Sequence, residues 1–121
     1  MPKKLLYVED NYMNFLLVKK IMQKNNILVE RAEDASAAME KLKASRPDLI
    51  LMDLHLPGMD GIELSAHLKD DDDLSSIPII GISASSIPQD REDAEKAGFC
   101  AFIEKPLDIR KLEKAVLKIL K

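Results

Sequence analysis

The chain has 121 residues, 46% apolar and 32% charged, with 18 basic against 21 acidic side chains and a formal net charge of -3. That length accommodates one domain around one core, and the slight acidic excess leaves no basic footprint for direct nucleic-acid binding. A lone cysteine excludes an internal disulfide, and two Tyr, three Phe and no Trp leave little from which to build a stacking platform for bases.

From the N-terminus, the only apolar run is Leu5 to Val8, which is too short for a signal peptide or a membrane span. No membrane association is expected, and the cytoplasm is the expected location. The same run, stopped by Glu9 and Asp10, reads as a buried strand. Met13, Leu16, Leu17, Ile21 and Met22 follow at helical spacing up to the stop signal Asn25-Asn26. Ile27 to Val29 can form a second strand, and Asp34 can cap a helix carrying Ala38, Met39 and Leu42 that Ser45-Arg46-Pro47 ends. Leu49 to Met52 is the most apolar run and halts at Asp53. Beyond the Leu56-Pro57-Gly58 turn, Asp60 can cap a helix carrying Ile62, Leu64 and Leu68. Ile77 to Ile82 is a fourth strand, with Pro78 near its start because proline cannot donate a ladder hydrogen bond. Pro88 to Ala97 reads as a helix with Gly98 just past its end. Phe99 to Ile103 gives a fifth strand. A last amphipathic helix carries Ile109, Leu112, Val116, Ile119 and Leu120 behind an Asp108 cap.

Five strand-helix units in succession predict an α/β fold, (βα)5, with a doubly wound, mostly parallel sheet and right-handed crossovers. Continuous rather than alternating apolar runs suit strands covered on both faces. Residues 1–121 read as one domain. The initial Met and a last helix that reaches the end of the chain fit a stand-alone protein, and equally a domain taken from a larger regulator or hybrid kinase.

In such folds functional groups gather at the carboxyl ends of the strands. Here these ends carry Glu9-Asp10, Asp53, Ser83 and, just beyond the fifth strand, Lys105. Three converging carboxylates repel one another unless a cation sits among them. An oxygen-only ligand set without His or Cys partners favours a hard ion, and Mg2+ keeps waters that leave room for phosphoryl oxygens. A carboxylate can attack phosphorus to give an acyl phosphate. What then remains is positioning and charge neutralisation, which a hydroxyl and an ammonium can supply.

The segments Leu6-Tyr7-Val8-Glu9-Asp10-Asn11, Asp48 to Asp53, Leu56 to Gly61, Ser83-Ala84 and Lys105-Pro106 resemble the receiver domain of bacterial two-component response regulators, in the family's order and across essentially the whole chain. The resemblance implies a flavodoxin-like strand order, 2-1-3-4-5. It makes Asp53 the phosphoacceptor, served by a partner's phosphohistidine. Mg2+ would be held by Glu9, Asp10, Asp53 and the backbone carbonyl of His55. Ser83 would contact the phosphoryl group, Lys105 would pair with it, and Ser83 and Phe102 would form the switch. Such a domain catalyses its own aspartyl phosphorylation and dephosphorylation and is not a conventional enzyme. Two positions vary mildly: Glu9 stands where many members have Asp, and Ser83 replaces the commoner Thr. The segments Lys69 to Leu74 and Ile77-Pro78, with Cys100 and Lys105-Pro106, resemble single-domain receivers of the DivK-like cell-division type. The implied partners are a sensor histidine kinase or histidine phosphotransfer protein and a downstream regulatory protein, met through the face of the fourth helix, fifth strand and fifth helix. A monomer or weak dimer is expected.

Taken singly, each residue has a plainer reading. Glu9-Asp10 or Asp53 could be a solvated loop end or a helix cap, and Phe102 could be simple core. Cys100 reads as a buried small residue. His67 reads as a helix-surface residue and Asp70 to Asp73 as a solvated loop, while His55 and Ser85 flank the site. Two other functions stay open. One is a pseudo-receiver that binds partners without phosphorylation. The other is a small flavodoxin-like ligand-binding protein, although Glu9-Asp10-Asn11 lacks the glycine-rich or hydroxyl-rich loop that would cradle a cofactor phosphate.

Overall fold

A computed structural model describes residues 2–54, 61–83, 88–105 and 108–120, with the backbone alone at 61–62 and 88–91. The expected His55 carbonyl, the turn at Leu56-Pro57-Gly58, the Asp60 cap, the Ile62 side chain, Ser85 and Pro106 lie outside the described residues. Strands and helices alternate without exception: β1 (Lys3–Val8), α1 (Tyr12–Gln23), β2 (Ile27–Ala32), α2 (Ala35–Ala44), β3 (Leu49–Asp53), α3 (Gly61–Lys69), β4 (Ile79–Ser83), α4 (Pro88–Lys96), β5 (Ala101–Glu104) and α5 (Ile109–Leu120). The strands form one parallel sheet in the order β2-β1-β3-β4-β5. From β1 the chain winds outward to β2, then crosses back to β3 and runs outward the other way. The carboxyl ends of β1 and β3 therefore flank the switch in strand order, where an open α/β sheet places its ligands.

Alternation along each strand divides the apolar residues between two cores. Leu6 and Val8 of β1, Ile50 and Met52 of β3 and Ile79 of β4 face Ala38 and Leu42 of α2, Leu64 and Leu68 of α3 and Ala94 of α4. Leu5, Tyr7, Leu49, Leu51, Ile80 and Ile82 face the other way, onto Phe15, Val18 and Met22 of α1 and Leu112 and Val116 of α5. Every residue of β3 and β4 is buried, which is why those runs are continuously apolar.

Local chemistry sets the boundaries. Asn11, Asp34 and Asp108 each accept a first-turn backbone N–H, from Asn14, Ala37 and both Arg110 and Lys111, so α1, α2 and α5 begin where side-chain caps allow. Asn26 takes a positive φ of 59° after α1, ending that helix. After α4, Gly98 at φ 90° donates to Glu95 O while Phe99 N–H reaches back to Ala94 O. This paired C-terminal pattern requires a left-handed residue, which glycine adopts without a Cβ clash. Phe99 then lands against Gly81 of β4, where a Cβ would lie 2.5 Å from its ring.

Several sequence readings change in the folded chain, among them β4, which begins at Ile79 rather than Ile77 and runs to Ser83. Strand β2 runs on to Ala32, while β5 begins at Ala101 rather than Phe99, because Phe99 completes the end of α4. Met13, Leu16 and Leu17 mark α1 as a helix but stay exposed, at 71%, 37% and 44%; the buried face is Phe15, Val18 and Met22. Cys100 is exposed rather than buried, and burial of its thiol side, directed at Ile79 O 3.3 Å away, pushes its pKa up.

Candidate phosphoacceptor site

The site sits on the carboxyl edge of β1, β3 and β4. Just past β1, Glu9 is completely buried, anchored by its backbone N–H to Ala32 O of β2 at 2.9 Å. Asp53 ends β3 and is 3% exposed, and Ser83 ends β4, fully buried. The parallel register pairs Asp53 with Ile82, so Ser83 stands one residue further along the same edge. The Lys105 backbone N–H donates to Ser83 O at 2.7 Å, which ties the loop after β5 to the end of β4.

Carboxylate oxygens of Glu9, Asp10 and Asp53 lie within 4.8 Å of one another, with Asp10 exposed and the other two buried. Lys105 Nζ donates to Asp53 Oδ2 at 3.0 Å and lies 3.6 Å from Glu9 Oε1. One ammonium thus faces two buried acids. Burial alone would lower the Lys105 pKa, but the hydrogen bond and charge of Asp53, reinforced by Glu9, outweigh it and hold the group above its usual value. The Glu9 carboxyl is also raised: burial, followed by the facing Asp53, moves it from 4.5 to about 7. Its Oε2 is buried with no hydrogen-bond partner among the described residues. A buried acidic oxygen without a donor, beside two more carboxyl groups, is the chemistry that a hard divalent cation satisfies. The residues present therefore fit Mg2+.

Sequence reasoning named Glu9, Asp10, Asp53, Ser83 and Lys105, and the fold gathers all five at this edge. Phe102 is half-buried on β5 with a cavity on each side. One, of about 430 Å3, is lined by β5 with Lys111 and Ala115 of α5; the other, of about 160 Å3, by Ala94 and Glu95 of α4 with Phe99 and Cys100. His67 and Asp70 to Asp73 are exposed, as their composition implied.

Three neighbours escaped the sequence reading. Asn14 Nδ2 donates to Glu9 Oε1 at 2.6 Å, and the buried Tyr7 hydroxyl approaches the same oxygen at 3.4 Å. Arg31 of β2 donates from Nη1 to the carbonyls of both Glu9 and Asp10 at 3.3 Å, with its guanidinium 5.3 Å from the Tyr12 ring. A signal for Tyr7 was available: two residues before Glu9 on an extended chain, it points to the same side. Arg31 could be placed only once β2 was known to lie beside β1.

A parallel sheet in this order with an acidic pocket at the switch point is the arrangement typical of a receiver domain. The chain belongs to the response regulator receiver domain family, whose model matches residues 5–117, and membership implies a histidine kinase partner in a two-component system. Among curated relatives, the polar-differentiation response regulator DivK of Brucella anthropi is 37% identical over 109 residues, covering 90% of this chain and 89% of the relative. The signal receiver domain of a signal transduction histidine kinase from Syntrophus aciditrophicus superposes with a TM-score of 0.89 at 32% identity, covering 98% of this chain and 89% of that one. The receiver domain of a sensor histidine kinase from Pseudomonas aeruginosa, solved with a magnesium ion coordinated in its active-site cleft, gives 0.87 at 26% identity over the full length of both chains. No described helix is long and apolar enough to cross a membrane.

Proposed function

We propose that residues 1–121 act as one receiver domain in which Asp53 accepts a phosphoryl group from a partner's phosphohistidine. Glu9, Asp10, Asp53 and the backbone carbonyl of His55 would hold Mg2+, which supplies positive charge to neutralise phosphoryl oxygens. The observation that carries this reading is the convergence of three carboxylates on one edge with Lys105 3.0 Å from Asp53.

Asp53 supplies the nucleophilic oxygen. A P–O bond forms on its carboxylate as the P–N bond of the donor breaks, and the imidazole leaves as the neutral ring after taking up a proton. Lys105, already paired with Asp53, is placed to follow the charge onto the phosphoryl group, which carries about -2. Ser83, at the end of β4, offers its hydroxyl to a phosphoryl oxygen. Movement of Ser83 toward that oxygen vacates space beside β4 that Phe102 can fill, biasing an existing equilibrium on the α4-β5-α5 face. Two cavities lined in part by Phe102 support that reading. A downstream regulatory protein reads the face.

The donor must reach the same edge. Beside it, α1 leaves Tyr12, Met13, Leu16 and Leu17 exposed, an apolar strip that a histidine kinase or histidine phosphotransfer protein can cover while presenting its phosphohistidine.

The test is incubation with Mg2+ and acetyl phosphate followed by intact mass measurement. An acid-stable, base-labile adduct of one phosphoryl group is expected on the natural chain and absent from Asp53→Asn. Labelling that survives in Asp53→Asn, or a natural chain that never labels with a competent donor, overturns the mechanism. The second result would leave an interaction module that works without phosphorylation.

A further inference from the structure

The two oxygens of the Glu9 carboxylate are treated very differently. Oε1 faces three partners: the Asn14 amide at 2.6 Å, the Tyr7 hydroxyl at 3.4 Å and the Lys105 ammonium at 3.6 Å. Oε2, equally buried, has none among the described residues. A glutamate has one more side-chain torsion than an aspartate, so its carboxylate reaches a defined point only if other groups fix it.

The fold builds such a fixture from both flanking elements. Tyr7 lies two residues before Glu9, on the side of the sheet covered by α1 and α5, and its ring is completely buried there. A buried phenol needs a partner for its hydroxyl, and Glu9 provides it. Asn14 is the third residue of α1, where a backbone N–H has no partner within the helix. Asn11 Oδ1 satisfies that N–H at 3.1 Å, which anchors the Asn14 backbone and leaves its amide to reach back over the loop to Glu9. Asn11 and Asn14 thus act in sequence: the first sets the start of the helix, and the second uses that placement to hold the acid.

We propose that Asn14 and Tyr7 are positioning residues that grip Glu9 Oε1 and so turn Oε2 into the pocket toward the divalent cation. The proposal rests on the Mg2+ reading above and adds to it the residues that orient the longest of the three acids. Neither residue touches the phosphoryl group; both act through Glu9.

Mg2+ binding to the full chain, followed by isothermal titration calorimetry with Mg2+ alone as the ligand, tests this. Asn14→Leu keeps the branched shape and heavy-atom count of the side chain and removes the donor, and should weaken Mg2+ binding by about tenfold, the lower end of what loss of an orienting partner costs a metal site. Tyr7→Phe should weaken it less, in keeping with its longer contact. In a Glu9→Ala background, where no carboxylate remains to be held, neither change should alter the residual affinity. A general packing defect would carry through both backgrounds, so equal weakening in each overturns the proposal. So does unchanged affinity in both Asn14→Leu and Tyr7→Phe. If Asn14→Leu does not fold, Tyr7→Phe in the two backgrounds decides by the same comparison. A natural chain that binds no Mg2+ overturns the cation reading as well, whereas binding that ignores both substitutions overturns the positioning role alone.

Discussion

Replacing Glu9 with Gln removes a negative charge from a buried place and should stabilise the metal-free protein. Glu9 is fully buried, with Asp53 facing it, and its pKa rises from 4.5 to about 7 on folding. The unfolded chain therefore gives up this proton first as the pH rises. The native state then holds more protons than the unfolded one, and stability falls across the interval between the two values. Below about pH 4.5 the acid is protonated in both states and costs nothing; above about pH 7 the full penalty applies. At about 1.4 kcal/mol per pH unit, that gap corresponds to roughly 3 kcal/mol. The assay is urea unfolding in EDTA from about pH 4.5 to about pH 8. The natural chain should lose roughly 3 kcal/mol relative to Glu9→Gln across that range, because groups remote from Glu9 titrate alike in both and cancel, leaving Glu9 and the Asp53 it faces to set the difference. Saturating Mg2+ should return much of the loss to the natural chain, about 2.7 kcal/mol at a hundredfold excess over the dissociation constant, and much less to Glu9→Gln. If the two proteins respond identically to pH, Glu9 carries no buried strain, and the electrostatic case for a cation at this edge fails.

Gly81→Ala should destabilise by about 1–3 kcal/mol in the same unfolding assay, because its Cβ would lie 2.5 Å from the Phe99 ring and the end of α4 would have to move; a change near zero would show that Phe99 yields freely. Asp34→Ala should cost about 1 kcal/mol through loss of the bond its side chain accepts from Ala37 N–H at 2.8 Å. Asp34→Asn, which keeps an accepting oxygen, should restore most of that loss.

Much of the fold was legible because its signals are contiguous. Apolar runs stopped by acids marked β1 and β3, and Asp34 and Asp108 announced caps that the folded chain uses. Gly98 closed α4 as its position implied. The five chemical side chains were legible for a related reason: in a parallel sheet each strand end reaches the same edge, so residues far apart in sequence are brought together by topology alone. Helix α1 shows where this reasoning stops. Its apolar residues lie on two opposite faces, Phe15-Val18-Met22 and Met13-Leu16-Leu17, and periodicity cannot say which of two apolar faces turns inward. The sheet decides, because α1 must also pack beside α5 over Leu5 and Tyr7.

The sequence by itself determined the order of elements, the parallel sheet and which side chains would meet at the acidic edge, since strand, cap and turn preferences act over a few residues. Only the tertiary structure decided how those side chains are held. The grip of Tyr7 and Asn14 on Glu9, the reach of Arg31 across from β2 and the exposure of Cys100 all depend on distances between elements, and distances between elements are set by packing.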